Sequence, residues 1–257
     1  MEYVAIIYSV LLLVAMLACL EFGRRYALKK AVSESDPASA GKKIVEGAFF
    51  GLLSLLIAFS FSGAVSRFDQ RRARIIDEAN VTGTAYHRVD LLPPEAQPQM
   101  RELFRSYADA RLAIFQAIPD LDAARRELAH SIELQDQIWA LAVNSTRGPG
   151  AHPNAGVLVL NSLSSMSEIA NSRTWSALTH PPPIIFGLLF LIALICSFIA
   201  GGSLAAERSN TWVHVLGFAL LTCASVYVIL EIEFPRVGFI DIEKYDQALI
   251  DVRTRMN

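Results

Sequence analysis

The sequence predicts an all-α polytopic membrane protein with four transmembrane helices and a helical-bundle insert between helices two and three. Three observations carry this. Four apolar runs are each long enough to cross a bilayer, the polar insert repeats apolar residues at helical spacing, and no stretch alternates convincingly with period two. Of the 257 residues, 53% are hydrophobic and 19% are charged. Mean hydropathy is +0.37, and the apolar residues are clustered rather than dispersed, as membrane helices require.

The first run, VAIIYSVLLLVAMLACL (4–20), follows only MEY and lacks a basic n-region or a small-residue cleavage site, so it reads as a retained span. The second is GAFFGLLSLLIAFSFSGAVS (47–66). The third is IIFGLLFLIALICSFIAGGSL (184–204) and the fourth WVHVLGFALLTCASVYVILEI (212–232). The chain therefore divides into a first hairpin (1–66), a soluble insert (67–183), a second hairpin (184–232) and a C-terminal tail (233–257). The short loop 21–46 carries Arg24, Arg25, Lys29, Lys30, Lys42 and Lys43. The positive-inside rule puts that loop in the cytoplasm and the insert outside it.

Within the insert, MRELFRSYADARLAIFQAI places Met100, Leu103, Phe104, Tyr107, Ile114, Phe115 and Ile118 on one helix face. The next segment does the same with Leu121, Ala124, Leu128, Ile132, Ile138 and Trp139. A third, near 154–178, is rich in Ser and Asn. LLPPEAQP and RGPGAHPN separate the segments. Such stripes are buried most simply in a bundle.

The second span runs into water without a break, as one helix from about 47 to 92. On its membrane half Gly47, Gly51, Ser54, Ala58 and Ser62 form a stripe of small residues. In lipid such a stripe admits a close helix neighbour. Helix packing is the first reading of this stripe, and the sharper alternative is that, with Phe59, it lines a pore in an oligomer. Ala193, Ser197 and Gly201 form a parallel packing stripe on the third span. Arg67, Arg71 and Arg74 share one face where the second span leaves the membrane, with Glu78 next along it. Three roles suit them: contacts with lipid phosphates, pairs with Glu231 and Glu233, or an anion-attracting pore mouth.

Other chemistry is absent from the pattern. Net charge is −2, with no basic block for nucleic acid. The three cysteines lie in apolar runs and the five histidines lack ligand spacing, so no metal is expected. No nucleophile elbow, phosphate loop or dinucleotide fingerprint occurs, so neither an enzyme nor a cofactor is expected. Glu168 and Arg173 read as members of structural ion pairs.

Two segments carry a resemblance. EANVTGTAYHRVDLLP (78–93) supplies Glu78, Ala79, Asn80, Gly83, Thr84, Tyr86, Arg88, Asp90 and Pro93, and ILEIEFPRVGFIDIEKYDQAL (229–249) supplies Glu231, Glu233, Pro235 and Gly238. These resemble the signature segments of the bestrophin-like domain family of bacterial membrane proteins, over roughly residues 45–250. Glu231 and Glu233 stand where that pattern has Asp, and His87 is a further departure. The family name implies kinship with bestrophins, which are pentameric anion channels with four spans per subunit. Their termini and large helical region are cytoplasmic, opposite to the orientation that the loop charges give here. The resemblance implies an oligomeric ion pathway, for anions, with the bilayer, further copies of the chain and a small anion as partners. The alternative is a non-conducting sensor or scaffold acting through its helical bundle. Glu78, Asn80, Tyr86, Arg88, Asp90, Glu231 and Glu233 are expected to form a structural network.

Overall fold

A computed structural model describes residues 4–31, 39–148, 154–206, 212–235 and 242–257. Among these the regular structure is all-helical, with eight α-helices and two short 3-10 turns. The order is α1 (Val4–Ala31), α2 (Ser39–His87), α3 (Gln97–Gln116), α4 (Leu121–Arg147), α5 (Ala155–Leu178), α6 (Pro183–Ala206), α7 (Trp212–Glu233) and α8 (Gln247–Thr254). Gly238, His152 and the side chains of Lys30 and Lys42 lie outside the described residues.

Four helices are long and apolar enough to cross a membrane, one in each expected run. The chain forms two compact units, 1–66 with 180–239, and 67–179 with 240–257. In the first unit α1 packs along α6 and against α7. The buried face of α1, Leu12, Met16, Leu20 and Gly23, meets Leu189, Ile192, Ala193, Cys196 and Ser197 of α6. Two glycines allow the closest approach. A Cβ on Gly201 would overlap the Leu20 backbone carbonyl, and one on Gly23 the Phe198 carbonyl. The small-residue stripe on α6 is thus a packing surface.

In the second unit α3 packs against α4, α4 against α5, and α8 against α3. The core holds Tyr86, Val89, Met100, Phe104, Tyr107, Leu134, Ile138, Leu163, Met166 and Met256. The side chain of Asp120 caps α4 by accepting the backbone N–H groups of Asp122 and Ala123. The apolar pattern of α4 coincides with its buried face only in part: Ile138 is buried and Ala124 and Leu128 are half-buried. Leu121, Ile132 and Trp139 are exposed, and the helix turns Ser131, Leu134, Ile138 and Ala142 inward. Small side chains at 131 and 142 let α4 approach its neighbours, and that closeness selects the face over bulk hydrophobicity. Residues 233–257, expected as a tail, contribute α8 to the same unit as the insert.

Candidate functional site

α2 carries most of the residues singled out from the sequence. Its 49 residues extend roughly 70 Å at 1.5 Å per residue. It has no proline, and it ends where a 3-10 turn (Arg88–Leu91) leads to Pro93 and Pro94.

The membrane half of α2 holds to its own unit by one side only. Leu53 is buried, and Phe49, Phe50, Leu56 and Ile57 pack against the α1–α6–α7 core. Gly51, Ser54, Ala58 and Ser62 are all exposed, as is Phe59 at 66%. Nothing lies within 4 Å of a Cβ placed on Gly47 or Gly51. Only 6% of the apolar window of α2 is buried, against 22% for that of α1 and 39% for that of α7. The Ser54 hydroxyl donates to the Phe50 carbonyl at 2.9 Å, so it needs no outside partner.

The arginines that share a helix face do not share an environment. Arg71 is 6% exposed. It donates through Nε to the Ser176 carbonyl (3.1 Å) and through Nη2 to the Thr179 carbonyl (2.9 Å). It therefore caps the C-terminal end of α5, where unpaired carbonyls and the helix dipole favour a cation. Arg74 is about half exposed and lies 3.6 Å from Asp77. Arg67 is partly exposed. Arg72, off this face, pairs with Asp69 at 3.3 Å and lies over the Tyr245 ring.

Glu78 is the centre of a buried charge network, of which the sequence suggested Glu78 as a network member and Arg173 as an ion-pair member but not Arg111 or Asp246. Its Oε1 accepts from Arg111 Nε at 2.5 Å and its Oε2 from Arg173 Nη1 at 2.6 Å. Arg173 Nη2 donates to Asp246 Oδ1 at 2.6 Å, which brings in the C-terminal segment. Arg111 Nη2 donates to the Ala170 carbonyl at 3.1 Å. The side chains of Glu78, Arg111 and Arg173 are 0–2% exposed. Burial alone would raise the Glu78 carboxyl, but the charges and hydrogen bonds of Arg111 and Arg173 outweigh it and hold the group below its ordinary range. Burial likewise works against the Arg111 cation, and Glu78 overcomes it. The Arg173 guanidinium stacks on the Phe115 ring with its central carbon 3.8 Å from the ring centroid. Arg173 was expected in an ion pair, and its partners are Glu78 and Asp246 rather than Glu168. Arg111 could have been found the same way, since it stands in a buried stripe after Phe104 and Tyr107 on α3, as Arg173 does after Met166 and Ala170 on α5. A charge at a core position demands a partner.

The remaining motif residues serve the end of α2. Tyr86 donates its hydroxyl to the Met256 carbonyl at 3.0 Å, and Arg105 Nε reaches the same oxygen at 2.8 Å. Arg88 donates to the Leu158 carbonyl. Asp90 pairs with Arg101, whose guanidinium lies over the Tyr86 ring. Asn80 is exposed, and its carbonyl accepts from the Thr84 hydroxyl. Tyr86, Arg88 and Asp90 thus reach three different partners rather than one ligand. Replacing Tyr86 by Phe removes one buried hydrogen bond and is expected to cost about 1 kcal/mol in a denaturation measurement. In the other unit Glu231 and Glu233 are both buried at the end of α7. Glu233 Oε1 lies 3.1 Å from His180 Nδ1, and the His180 ring stacks on Phe234. Among the described residues no group of three His, Cys, Asp or Glu could hold a metal ion.

The model of the bestrophin-like domain family matches residues 29–245. The chain belongs to the bestrophin-like family. Its four apolar helices and this membership make it a multi-pass membrane protein. A solved crystal structure of a point variant of a bacterial bestrophin homolog from Klebsiella pneumoniae is similar to it. That similarity has a TM-score of 0.66 at 12% identity and covers 93% of this chain and 98% of that one. At this identity the likeness concerns the fold. No curated protein sequence matches the chain significantly. The α2 motif and the end of α7 that suggested the family both fall inside the matched range.

Proposed function

We propose that this bestrophin-like protein assembles into a homo-oligomer in which the α2 helices surround an ion pathway for small anions. The observation that carries this reading is the outward face of α2. A membrane helix that leaves Gly51, Ser54, Ala58 and Ser62 uncovered, with almost none of its apolar window buried, is built for neighbours outside its own chain. In a ring of four or more subunits this stripe and Phe59 face an axis, and Arg67 and Arg74 stand where α2 leaves the membrane. Arg71 is committed to α5 and is set aside from this role. In this reading the protein resides in a bacterial inner membrane. The basic loop after α1 faces the cytoplasm and the helical insert faces away from it.

Native mass spectrometry of the protein in mild detergent tests the assembly. Four or more subunits are expected, and a monomer or dimer would overturn the pathway. Reversing charge at Arg67 and Arg74 together, both to Glu, tests the mouth. Anion flux in vesicles should fall about threefold to tenfold at low salt and recover toward the parent value at high salt, as screening shortens the reach of each charge. Unchanged flux and selectivity would remove the arginines from the pathway.

The second reading is a non-conducting sensor or scaffold. It is favoured by how fully the arginine-rich part of α2 is engaged in structure, with Arg71 capping α5 and Glu78 holding Arg111 and Arg173. In that case the output lies in a partner protein.

A further inference from the structure

The C-terminal end of α5 presents an apolar edge that neither the pathway nor the Glu78 network uses. Trp175 and Leu178 lie side by side on it, three residues apart in the helix, and are 69% and 64% exposed. Two large apolar side chains together differ from the single scattered residues of an ordinary surface. They also belong to a longer apolar stretch. The chain has no Asp, Glu, Lys or Arg between Arg173 and Glu207, so charge ends well ahead of the apolar run that starts at Ile184. Exposed apolar side chains resume on α6 with Ile184 at 78% and continue with Leu188, as on a span that meets lipid.

Two features limit how far this edge can stand from the bilayer. Leu178 precedes Pro183, the first residue of α6, by five residues, and five extended residues reach at most about 18 Å. On α2, Arg71 stands five residues past Ser66, where the second apolar run ends, a rise of about 7–8 Å. Its guanidinium donates to the Ser176 and Thr179 carbonyls, so the last turn of α5 is held near that height. The headgroup layer on each side of the hydrocarbon is about 5–8 Å deep.

The end of α5 is also fitted to a place poor in water. The Trp175 carbonyl accepts the Thr179 N–H at 3.0 Å and the Thr179 hydroxyl at 2.8 Å. The Arg173 carbonyl accepts the Ser176 hydroxyl at 2.8 Å. With Arg71 on the Ser176 and Thr179 carbonyls, four carbonyls of the final turns are met by the protein rather than left to water. An indole suits the same layer, because its ring is apolar and its N–H can donate to lipid oxygens.

We propose that the end of α5 is seated in the headgroup layer of the bilayer, with the Trp175 indole and the Leu178 side chain as its anchor. The partner is the phospholipid interface itself. The anchor carries no charge, so it selects no headgroup. The inference is independent of the ion pathway, since it holds for a single chain as for a ring.

The test is the fluorescence of Trp175 in the full chain, reconstituted into phosphatidylcholine vesicles. The chain has three tryptophans, Trp139, Trp175 and Trp212, and subtracting the emission of Trp175→Phe from that of the parent isolates Trp175. The double variant Trp139→Phe, Trp212→Phe gives the same reading without subtraction. Phosphatidylcholine brominated near the headgroup end of its chains should quench this signal at least about twofold more than lipid brominated near the chain ends. Aqueous iodide should quench it at least about twofold less than it quenches free tryptophan. Iodide quenching equal to that of free tryptophan, with neither bromolipid acting, would place the edge in water and overturn the proposal. Stronger quenching by the deep bromines would place the indole in hydrocarbon. Protection from iodide and from both bromolipids would place it under a protein surface, such as a second copy of the chain. Either result would overturn the headgroup seat.

Discussion

Glu78→Gln is expected to destabilise the second unit by about 3–5 kcal/mol, the range for removing one partner of a buried ionic network. Gln preserves the shape of the side chain but removes the charge that Arg111 and Arg173 share. Asp246 would then be left to balance two guanidiniums that are 2% exposed. Domains of this size hold about 5–15 kcal/mol in all, so the loss is a large share. Circular dichroism melting in detergent, with limited proteolysis across 67–179, would show it as a lowered transition and early cleavage. A variant melting within a degree of the parent would mean that the guanidiniums find water or other acceptors. The same carboxylate has an acid signature. Folding holds its pKa below the ordinary 4.5, so its contribution is complete above about pH 4.5 and is lost as the pH falls through the lowered folded-state value. The parent should lose stability over that acid window, and Glu78→Gln should lack this part of the slope.

The second large effect is expected at the α1–α6 crossing. Gly201→Ala places a methyl group against the Leu20 carbonyl, and Gly23→Ala places one against that of Phe198. Two tendencies oppose each other. Alanine favours a helix over glycine by about 1 kcal/mol. The clash is with backbone, which cannot rotate aside, so the helices must separate and give up contacts along their length. Overpacking costs about 1–3 kcal/mol or more even where side chains can adjust. The clash should therefore win, and either variant should melt below the parent, with the double variant lower still. Melting at or above the parent would show that these helices do not approach so closely.

The spans were legible because a helix that meets lipid is apolar along its whole length, and the α2 extension was legible because nothing breaks it before Pro93. The α3 stripe was legible because its apolar residues recur at the helical period and that face is the buried one. The inward face of α4 was not, because Ser131 and Ala142 are buried for their small size and Trp139 is not buried despite its bulk. Periodicity records hydrophobicity, whereas close helix approach selects volume. The arginine face on α2 is a matter of helical register, which the sequence spacing gives. It could not reveal that Arg71 turns to the carbonyls of Ser176 and Thr179, more than a hundred residues away in sequence. The pairings within the Glu78 network stayed hidden, although Glu78 and Arg173 were singled out, because its four members come from α2, α3, α5 and the segment before α8.

That last segment bears on how the molecule is made. Asp246, Leu249 and Met256 complete a unit whose other residues end at Thr179, and α6 and α7 are synthesised in between. At about 5–20 residues per second, the ribosome delivers Arg173 several seconds before its partner Asp246. During that interval Arg173 has Glu78 but lacks the second of its two carboxylate partners, and the Leu249 site is open, while the second hairpin is being inserted. Closure of the bundle therefore reports that translation has passed through both later spans. A chain stopped short of residue 246 would carry a standing defect in the interior of that unit.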